Sequence, residues 1–519
     1  MQTAIMDRAS EVERKFDVDL GVVLPDLSGA AAAVSEAVES KLNATYFDTA
    51  DGRLARHNIT LRRRTGGEDA GWHLKLPAAL DARTEVRQPL GRATRTVPVA
   101  LVREVRAIVR DRPLVPIAVL QTTRTERRLL DAGGNALAIV ADDTVHGRRL
   151  GDGAVQESAW REVEVELLDG DRAFLDTVSD RLRAAGLRPS AASSKLARVL
   201  ADGPQSTSGA VPETISTARR ASAGDVLLAH LRGQVDRLVM HDRGARSDEP
   251  DAVHQMRVAT RRMRSALATF RPLLDRERTD PVSEELTWLG QILGAARDAE
   301  VLHWRLQDLL AAQPKELVLG PVGRRVDLEL QDRHRAAHAD VLAALNGDRY
   351  LRVLDTLDEL VTDPPLTGRA GKPAGKQLPA LVGRAAARVE RAALAVADDG
   401  TPEARDRGLH EVRKSAKRAR YAAEVVVAVA GDPATVLADR MEALQDVLGE
   451  HQDGVAARAL LLELSVAAQQ AGENGFTYGL MHAQEHASAD EARRAYRRSL
   501  KKATSRKASR WTQSYLSDR

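Results

Sequence analysis

The sequence predicts an α+β fold in which a strand-rich N-terminal region precedes a long, wholly helical region. Short segments that alternate apolar and charged residues recur up to about residue 200, separated by turns that contain Gly, Asp and Pro. From residue 217 to 515 this alternation gives way to long amphipathic patterns rich in Ala, Leu, Arg and Glu. Two motifs of the helical region recur at nearly the same offset, which indicates an internal duplication.

Changes in composition predict the domain boundaries. We expect a first domain over residues 1–202, a linker over 203–216 rich in Gly, Pro, Ser and Thr, and a helical domain over 217–515. A second Gly- and Pro-containing stretch at 363–379 is expected to be a loose connection that divides the helical domain into halves at about 217–362 and 380–515. Within the first domain we expect two helices, one near Val97 to Val109 and one from Arg172 to Ala185.

Composition excludes several classes of protein. The chain has 519 residues and no cysteine, which excludes a disulfide framework, a cysteine nucleophile and a thiolate zinc site. No run approaches 18 apolar residues, so we expect a cytoplasmic protein without a membrane partner. Aromatic residues make up only 3% of the chain, which leaves few rings for stacking on nucleic-acid bases, so no nucleic-acid partner is expected. The net charge of +3 hides strong local segregation of the two signs.

Acidic side chains share one face of each of two predicted strands. They are Glu11 and Glu13, followed by Lys15, in the segment EVERK, and Glu162, Glu164 and Glu166 in the segment WREVEVEL. Like charges this close repel unless a cation or a basic group lies between them. Carboxylate oxygens in this arrangement suit Mg²⁺ or Mn²⁺, which prefer hard ligands.

Basic side chains dominate the strands between these two. The same-face sets are Arg62 with Arg64, His73 with Lys75, Arg83 and Arg87 with Glu85, and Arg124 on a strand that continues to Arg127 and Arg128. A solvated sheet face would also accept Ser, Thr and Gln, so a polar lumen lined by both signs accounts better for this pattern. Acids that hold a metal and cations that hold phosphoryl oxygens are what a polyphosphate substrate requires.

The segment EVERK resembles the ExExK signature of the CYTH family, the triphosphate tunnel metalloenzymes. The later segments YFDT, LRRR, HLKL, TEVR, TTRTERR, ADD, EVEVEL and SSKLARVL also follow the family order, so that the resemblance covers about residues 8–200. It implies a tunnel-like antiparallel β-barrel that hydrolyses or cyclises triphosphates with Mg²⁺ or Mn²⁺.

The resemblance also implies roles for individual residues. The catalytic set is Glu11, Glu13 and Lys15. The metal ligands are Glu11, Glu13, Asp143, Glu162 and Glu164, with Asp142 expected near the metals and Glu166 able to serve in place of a neighbour. The substrate-binding set is Arg62, Arg64, Lys75, Glu85, Arg124 and Lys195.

Each half of the helical region carries a stripe of cations headed by a histidine. At spacings of 3, 4 and 3 residues, the members of each stripe lie on one side of a helix. The first stripe is His254, Arg257, Arg261 and Arg264 with Arg262 at its edge, and the second is His410, Arg413, Lys417 and Arg420 with Lys414 and Arg418 at its edges. Cations packed this closely weaken an isolated helix, and a polyanion along the stripe would remove that cost.

These two stripes resemble the CHAD family, which is named for conserved histidines in an α-helical domain. The match covers roughly residues 217–515 and implies paired four-helix bundles that bind inorganic polyphosphate in a central basic groove. A second repeated motif, LG-x3-D at Leu293 and at Leu448, is interpreted as architectural, with Asp298 and Asp453 pairing with an arginine of the stripes. The basic tail from Arg493 to Arg510 either extends the groove or is a solvated terminal helix.

Together the two resemblances predict metal-dependent hydrolysis of inorganic triphosphate or a related triphosphate, with polyphosphate bound by the helical domain. One alternative is an adenylate cyclase of the class IV type that uses the same tunnel. Another is a non-catalytic polyphosphate-binding protein associated with polyphosphate granules, although intact acidic strands would bring a pure binder no advantage.

Overall fold

The structure is a computed structural model that describes residues 7–19, 21–78, 82–91, 96–151, 156–201, 221–396 and 401–513. The chain forms two compact units, Met1–Val211 and Pro212–Arg519. The linker expected at 203–216 lies outside the described residues. In the described part of the chain, no helix combines the length and apolar character that crossing a membrane requires.

The first unit contains ten strands and five short helices among its described residues. The strands are β1 (Asp7–Val18), β2 (Ala33–Val34), β3 (Val38–Asp48), β4 (Thr60–Thr65), β5 (Gly71–Pro77), β6 (Ala82–Pro89), β7 (Val115–Leu130), β8 (Ala136–Arg149), β9 (Glu157–Leu167) and β10 (Arg188–Pro189). The helices are α1 (Arg53–Arg56), α2 (Val99–Glu104), α3 (Arg106–Val109), α4 (Arg172–Ala184) and α5 (Lys195–Ala201).

Eight of these strands close into an antiparallel barrel. The order β1-β6-β5-β4-β3-β7-β8-β9 returns to its start because β9 also pairs with β1. Closure depends on the length of β1, whose first half, Asp7–Val12, pairs with β6 and whose second half, Glu13–Val18, pairs with β9. A closed barrel leaves no exposed strand edge and separates an inner from an outer face.

The outer face is apolar and is covered by helices. On β9, Val163 and Val165 alternate with the glutamates and pack against Leu175, Val178 and Leu182 of α4. On the other side of the barrel, α1, α2 and α3 cover the outward residues of β4, β5 and β6. The helix expected near Val97 to Val109 is two helices, α2 and α3, because the buried Val105 between them leaves helical geometry.

Helix α5 packs into the barrel from one side of the lumen. Its Leu196 and Val199 belong to one core with the inward-facing Tyr46 and Leu120. Gly147 of β8 makes this approach possible, because a Cβ added there would lie 2.6 Å from Val199 Cγ2. The first residue of α5 is thereby held at the lumen.

The second unit is helical and duplicated. Its first half contains α6 (Ala223–Arg246), α7 (Ala252–Thr269), α8 (Arg276–Ala311), α9 (Val322–Asn346) and α10 (Asp348–Thr362). Its second half contains α11 (Ala374–Leu394), α12 (Pro402–Val425), α13 (Val427–Ala430), α14 (Asp432–Gln470), α15 (Phe476–Ala503) and α16 (Arg506–Gln513). The halves meet where α7 packs on α12 and α6 on α11, so the predicted fold class, a β-barrel followed by duplicated helical bundles, is confirmed.

One segment of the helical unit differs from the sequence-based expectation. The stretch 363–379 was expected to be loose, but it is helical from Ala374 onward. Pro379 is the sixth residue of α11, so the helix continues through a position that lacks the N–H of an i→i−4 hydrogen bond. Gly and Pro content therefore overstated the length of this connection.

We predict that Gly147→Ala lowers the free energy of unfolding of the barrel unit by about 1–3 kcal/mol, because the new methyl group overpacks against α5. Urea unfolding followed by circular dichroism measures this change. Gly151→Ala is the matched control, since a Cβ at that glycine meets nothing within 4 Å, and its effect is expected to stay below about 1 kcal/mol. Equal effects of the two substitutions would contradict the packing role of Gly147.

Candidate functional site

Strand register brings the charged residues of distant segments together in the lumen. Directly paired residues share a face of the sheet, and Lys15 of β1 lies opposite Glu164 of β9, while Glu13 lies opposite Glu166. On the other side of β9, Asp143 of β8 pairs with Glu162. The period-2 pattern of the sequence thus places the acids of β1 and β9 on one continuous inner surface.

Three carboxylates, of which Asp143 and Glu162 are buried and Glu164 is partly buried, surround the ammonium group of Lys195. Its Nζ lies 2.9 Å from Asp143 Oδ2, 2.7 Å from Glu162 Oε1 and 2.7 Å from Glu164 Oε1. One ligand oxygen from each of these carboxylates lies within 4.8 Å of the other two, which is the spacing of a metal-binding group. Trp160 Nε1 donates a hydrogen bond of 2.6 Å to Glu162 and fixes that carboxylate.

Glu164 is in contact with three cations at once. Besides Lys195, it accepts a hydrogen bond of 2.5 Å from Lys15 Nζ and one of 2.7 Å from Arg124 Nη2. Arg124 also binds Asp143 in bidentate fashion, at 2.8 and 2.7 Å. Burial alone would raise the pKa of Glu164, but the positive charges of Lys15, Lys195 and Arg124 hold that pKa well below its usual value. The carboxylate is therefore ionised at neutral pH.

A second set of charges lines β1, β4, β5 and β6. Lys75 Nζ lies 2.5 Å from Glu11 Oε2, and Lys15 Nζ lies 3.0 Å from Glu13 Oε1. Among the described residues, these two glutamates do not join the 4.8 Å cluster of Asp143, Glu162 and Glu164. Each acid of the predicted catalytic set is thus held by a lysine.

Glu85 is the acidic centre of this second set. It lies 3.0 Å from His73 Nδ1 and 4.0 Å from Arg62 Nη2, and it also pairs with Arg87. Burial would raise the pKa of Glu85, but the hydrogen bond from His73 and the nearby cations lower it far below its ordinary value. Arg64 pairs with Asp69, which comes from the turn between β4 and β5.

Asp142 does not lie near the candidate metal ligands. It occupies the opposite face of β8 from Asp143 and forms a bidentate ion pair with Arg161 at 2.8 and 2.7 Å. Arg161 also donates to the carbonyl oxygen of Val22, outside the barrel. The expectation for Asp142 is wrong, because successive residues of a strand point to opposite faces.

Tyr46 and Asp69 are among the lumen residues that the site prediction missed. The hydroxyl of Tyr46 accepts a hydrogen bond of 3.4 Å from Arg62 Nη1. The carbonyl oxygen of Asp69 lies 2.9 Å from His73 Nε2 and anchors the β4–β5 turn at the lumen. The alternation of YFDT carried a signal for Tyr46, since it pairs with Arg62 across β3 and β4. Asp69 lies in a turn, where no strand pattern exists to reveal it.

The lumen encloses a cavity of about 60 Å³. Its lining residues are Glu11, Glu13, Lys15, Tyr46, Thr60, Arg62, Arg64, Asp69, Lys75, Arg83, Glu85, Arg87, Arg124, Glu164, Glu166, Ser194 and Lys195. Ten of the twelve residues predicted to act in the barrel line this cavity, and the other two, Asp143 and Glu162, contact it through Lys195.

In the helical unit, the two predicted stripes face each other where α7 packs on α12. Four cations meet there, Arg257 and Arg261 from α7 with Arg413 and Lys417 from α12, and we call them the cationic cluster. Burial together with the charges of Arg261, Arg413 and Arg257 lowers the pKa of Lys417 to about 7. Burial is the larger cause of this low pKa, and the three like charges add to it.

The repeated LG-x3-D motif supports the cationic cluster. The guanidinium of Arg257 lies over Gly294 and that of Arg413 over Gly449, where an added Cβ would approach Nη2 to 3.7 and 3.0 Å respectively. Arg257 Nη1 also pairs with Asp298 at 3.0 Å, as expected. Arg413 Nη1 donates instead to Gln452 Oε1 at 3.1 Å, and Asp453 acts on Arg413 only through its charge.

Several stripe residues lie outside this cluster. Glu424 of α12 neutralises both Arg262 and Arg420 at 2.9 Å, and Arg420 also pairs with Glu442. Lys414 is exposed and pairs with Glu411. Arg264 lies near Arg418, whose pKa is lowered by burial and by Arg388 and Arg264.

The two histidines that head the stripes are not equivalent. His254 is half-buried, and its pKa is lowered by burial and by the nearby Arg297. His410 is exposed, and its Nδ1 lies 2.8 Å from Gln452 Oε1. The two histidines therefore occupy equivalent positions in the repeat but differ in burial and in hydrogen-bond partners.

Glu166 makes the stability of the barrel depend on pH. Burial and the charge of Glu11 raise its pKa to about 7 from an ordinary value of 4.5. Between pH 4.5 and 7 the folded state thus holds a proton on Glu166 that the unfolded chain has lost. The contribution of the protonated Glu166 to the free energy of unfolding is present below pH 4.5 and disappears as pH rises through 7. We predict that, with EDTA present, the free energy of unfolding of Glu166→Gln rises by about 2 kcal/mol relative to that of the wild type between pH 5 and pH 8.

Urea unfolding at the two pH values measures this effect. Glu157→Gln, at the exposed end of the same strand, is the control and is expected to show no such gain. A stability difference between Glu166→Gln and the wild type that is the same at pH 5 and pH 8 would contradict the assignment.

Comparison with known proteins agrees with this geometry. The CYTH domain family model matches residues 9–198, and the CHAD domain family model matches residues 229–462. The uncharacterized protein Rv2226 of Mycobacterium tuberculosis is 40% identical over 521 residues, which cover 95% of this chain and 96% of that protein.

Two solved structures are similar to part of the chain. PptA from Streptomyces chartreusis matches with a TM-score of 0.46 and 24% identity, over 54% of this chain and all of that one. The CHAD domain from the plant Ricinus communis matches with a TM-score of 0.45 and 24% identity, over 56% of this chain and 94% of that one. The chain belongs to the CYTH and CHAD families: a CYTH domain, the triphosphate-tunnel type of enzyme that works with a metal, is followed in one polypeptide by a CHAD domain.

Proposed function

We propose that the barrel hydrolyses inorganic triphosphate or a related triphosphate with Mg²⁺ or Mn²⁺, and that the helical unit binds inorganic polyphosphate. The observation that carries the proposal is the arrangement of charges in the lumen, where Lys15, Arg124 and Lys195 all converge on Glu164. Each of these ion pairs offers a cation to a phosphate oxygen and a carboxylate to a divalent metal.

The donor set fits a hard divalent cation. Asp143, Glu162 and Glu164 offer only oxygen ligands, each paired with Lys195, within a space that one ion could occupy. Glu11 and Glu13 add carboxylates on the adjoining strand, where Lys75 and Lys15 now hold them. A bound metal would neutralise and polarise phosphoryl oxygens.

The cationic side chains would hold the phosphate chain. Lys15, Lys75 and Arg124 reach the lumen from three different strands, so they can contact successive phosphoryl groups rather than one. Arg62 keeps its charge in spite of burial because Tyr46 and Glu85 raise its pKa. A cavity of about 60 Å³ holds only a few water molecules. A triphosphate must therefore enter by replacing internal ion pairs.

The lining of the cavity favours a triphosphate without a base over ATP. Tyr46 is the one aromatic ring among the described lining residues, and its hydroxyl is bonded to Arg62. Adenine would find no free ring to stack on there. Formation of cyclic AMP from ATP would nevertheless establish the cyclase alternative.

The cationic cluster supports polyphosphate binding by the helical unit. Its four cations are opposed by few carboxylates, among them Asp298 and Asp453, and their mutual repulsion adds to burial in lowering the pKa of Lys417. A chain of phosphates placed along α7 and α12 would relieve that repulsion. Such binding would keep the protein in the cytoplasm close to polyphosphate granules.

We predict metal-dependent release of phosphate from inorganic triphosphate, measured by a colorimetric phosphate assay with Mg²⁺ or Mn²⁺. Glu11→Ala combined with Glu13→Ala should lower the rate by at least about 100-fold, because transition-state charge would lose its metal-bound neutralisation. Asp142→Asn is the matched control, since this carboxylate faces Arg161 outside the lumen. It should retain most of the wild-type rate.

Absence of release from triphosphate, ATP and thiamine triphosphate with either metal would sink the hydrolase proposal. The non-catalytic polyphosphate-binding protein would then be the better account. A loss in Asp142→Asn as large as in the double variant would show that the lumen geometry is not what the assay reports.

We predict that polyphosphate binding at pH 8 takes up about one proton. Lys417 has a pKa of about 7 in the free protein, and bound phosphates would raise that pKa toward its ordinary value, so affinity falls as pH rises above 7. Calorimetric titration in two buffers of different ionisation enthalpy measures the uptake. Lys417→Arg should bind without the part of the uptake that Lys417 contributes, and a wild-type enthalpy independent of the buffer would refute the prediction.

A further inference from the structure

The end of the helical unit carries a concentration of positive charge away from the cationic cluster. Residues 493–513 contain nine Lys and Arg residues and no Asp or Glu. Five of them are exposed on α15, and Arg494, Arg498, Lys501 and Lys502 are the four of these that lie beside Arg497 on the side away from the buried face. At 3.6 residues per turn they fall within about 100° of the helix circumference. We call these four the α15 stripe.

The α15 stripe has little internal counter-charge among the described residues, where Arg494 is the member whose charge acts on a nearby carboxylate, Asp490. None of its four cations forms an ion pair with a described residue. The buried face of this part of the helix, with Ala492, Tyr496 and Ala503, lies on the opposite side. Spacings of four residues place Arg494 beside Arg498 and Arg498 beside Lys502, and like charges so placed weaken a helix.

The repeat supplies an internal comparison. Helix α9 holds the same place in the first half that α15 holds in the second, and it contains four Arg residues balanced by four Asp and Glu residues. Its Arg325 pairs with Glu473 at 2.9 Å and its Arg333 with Glu463 at 2.8 Å. The fold can thus be built with a neutral helix at this place. The helix dipole explains cations only in the last turn, where Lys501 and Lys502 lie.

The α15 stripe lies one helix away from the stripe of α12. Helix α14 packs on both α12 and α15. On one side of α14, Glu442 pairs with Arg420 of α12 at 2.7 Å, and on the other side Arg440 donates to the carbonyl oxygen of Lys502 at 3.3 Å. Packed helices lie about 8–10 Å apart, so the two basic surfaces are separated by roughly 16–20 Å.

We infer that the α15 stripe is a second polyphosphate contact, which binds the distal part of a long chain whose other part lies on the cationic cluster. This inference rests on the proposed polyphosphate binding and adds a dependence on chain length to it. A single flexible polyanion that reaches both surfaces gains affinity because the second contact is intramolecular. Nucleic acid fits less well, since Tyr496, the aromatic residue of this segment of α15, is buried.

The test compares long-chain polyphosphate with linear hexaphosphate, which is too short to cover both surfaces, in EDTA to prevent hydrolysis. The full-length variant R494Q/R498Q/K501Q/K502Q should bind hexaphosphate as the wild type does and long-chain polyphosphate about tenfold or more weakly. The slope of log affinity against log salt for the long chain should fall by about 3, at roughly 0.7 for each lost contact to a single strand.

Substitution of Arg352, Arg369, Lys372 and Lys376 with Gln is the matched control, because it removes the same charge from other exposed positions. Unchanged long-chain affinity and salt slope in the α15 variant would overturn the inference, as would an equal loss in the control. A loss confined to duplex DNA would also overturn it. Failure of the wild type to bind hexaphosphate would instead contradict the proposed function of the cationic cluster.

Discussion

The contacts of Glu164 with Lys15, Arg124 and Lys195 are the interaction on which the barrel site depends. A buried carboxylate is costly unless it is paired, and removing one partner of such a pair typically costs about 3–5 kcal/mol because the other charge stays buried. Each charge of the lumen is therefore tied to the presence of its neighbours. The closed barrel imposes this condition, because β1 joins β6 through its first half and β9 through its second half and so keeps these charges on one inner face.

The same constraint explains why the site can exchange partners. A network in which each candidate metal ligand already contacts a cation is neutralised without a ligand, and a metal with a phosphate chain supplies the same two kinds of charge. In the helical unit, by contrast, the charges are not paired in this way. Its cationic cluster gathers like charges, which are held in place by an apolar core beneath α7 and α12 and by two glycines that seat Arg257 and Arg413. Here an external polyanion would complete the charge balance.

Much of the site could be predicted from the sequence because local periods determine which residues share a face. Period-2 alternation assigned Glu162 and Glu164 to one surface, and helical spacing assigned Arg257 and Arg261 to one stripe. The choice between Asp142 and Asp143 could not be made in this way, since only the pairing of Asp143 with Glu162 shows which of the two faces the lumen.

Other features depend on contacts between distant parts of the chain. Asp69 reaches Arg64 from a turn, and Glu424 neutralises Arg262 across the boundary between the two halves. Neither contact leaves a local pattern. The position of Lys195 depends on how α5 packs on Gly147, a glycine whose small size is meaningful only once Val199 lies against it.

The central claim is that one lumen holds a divalent metal and a triphosphate together. Electron–nuclear double resonance of Mn²⁺ with non-hydrolysable imidotriphosphate tests this directly, by detecting ³¹P coupled to protein-bound Mn²⁺. Wild type should give a ³¹P-coupled signal distinct from that of the Mn²⁺–imidotriphosphate complex in buffer, and Asp143→Asn combined with Glu164→Gln should lose it. A wild-type spectrum identical to that of the complex in buffer would contradict the account.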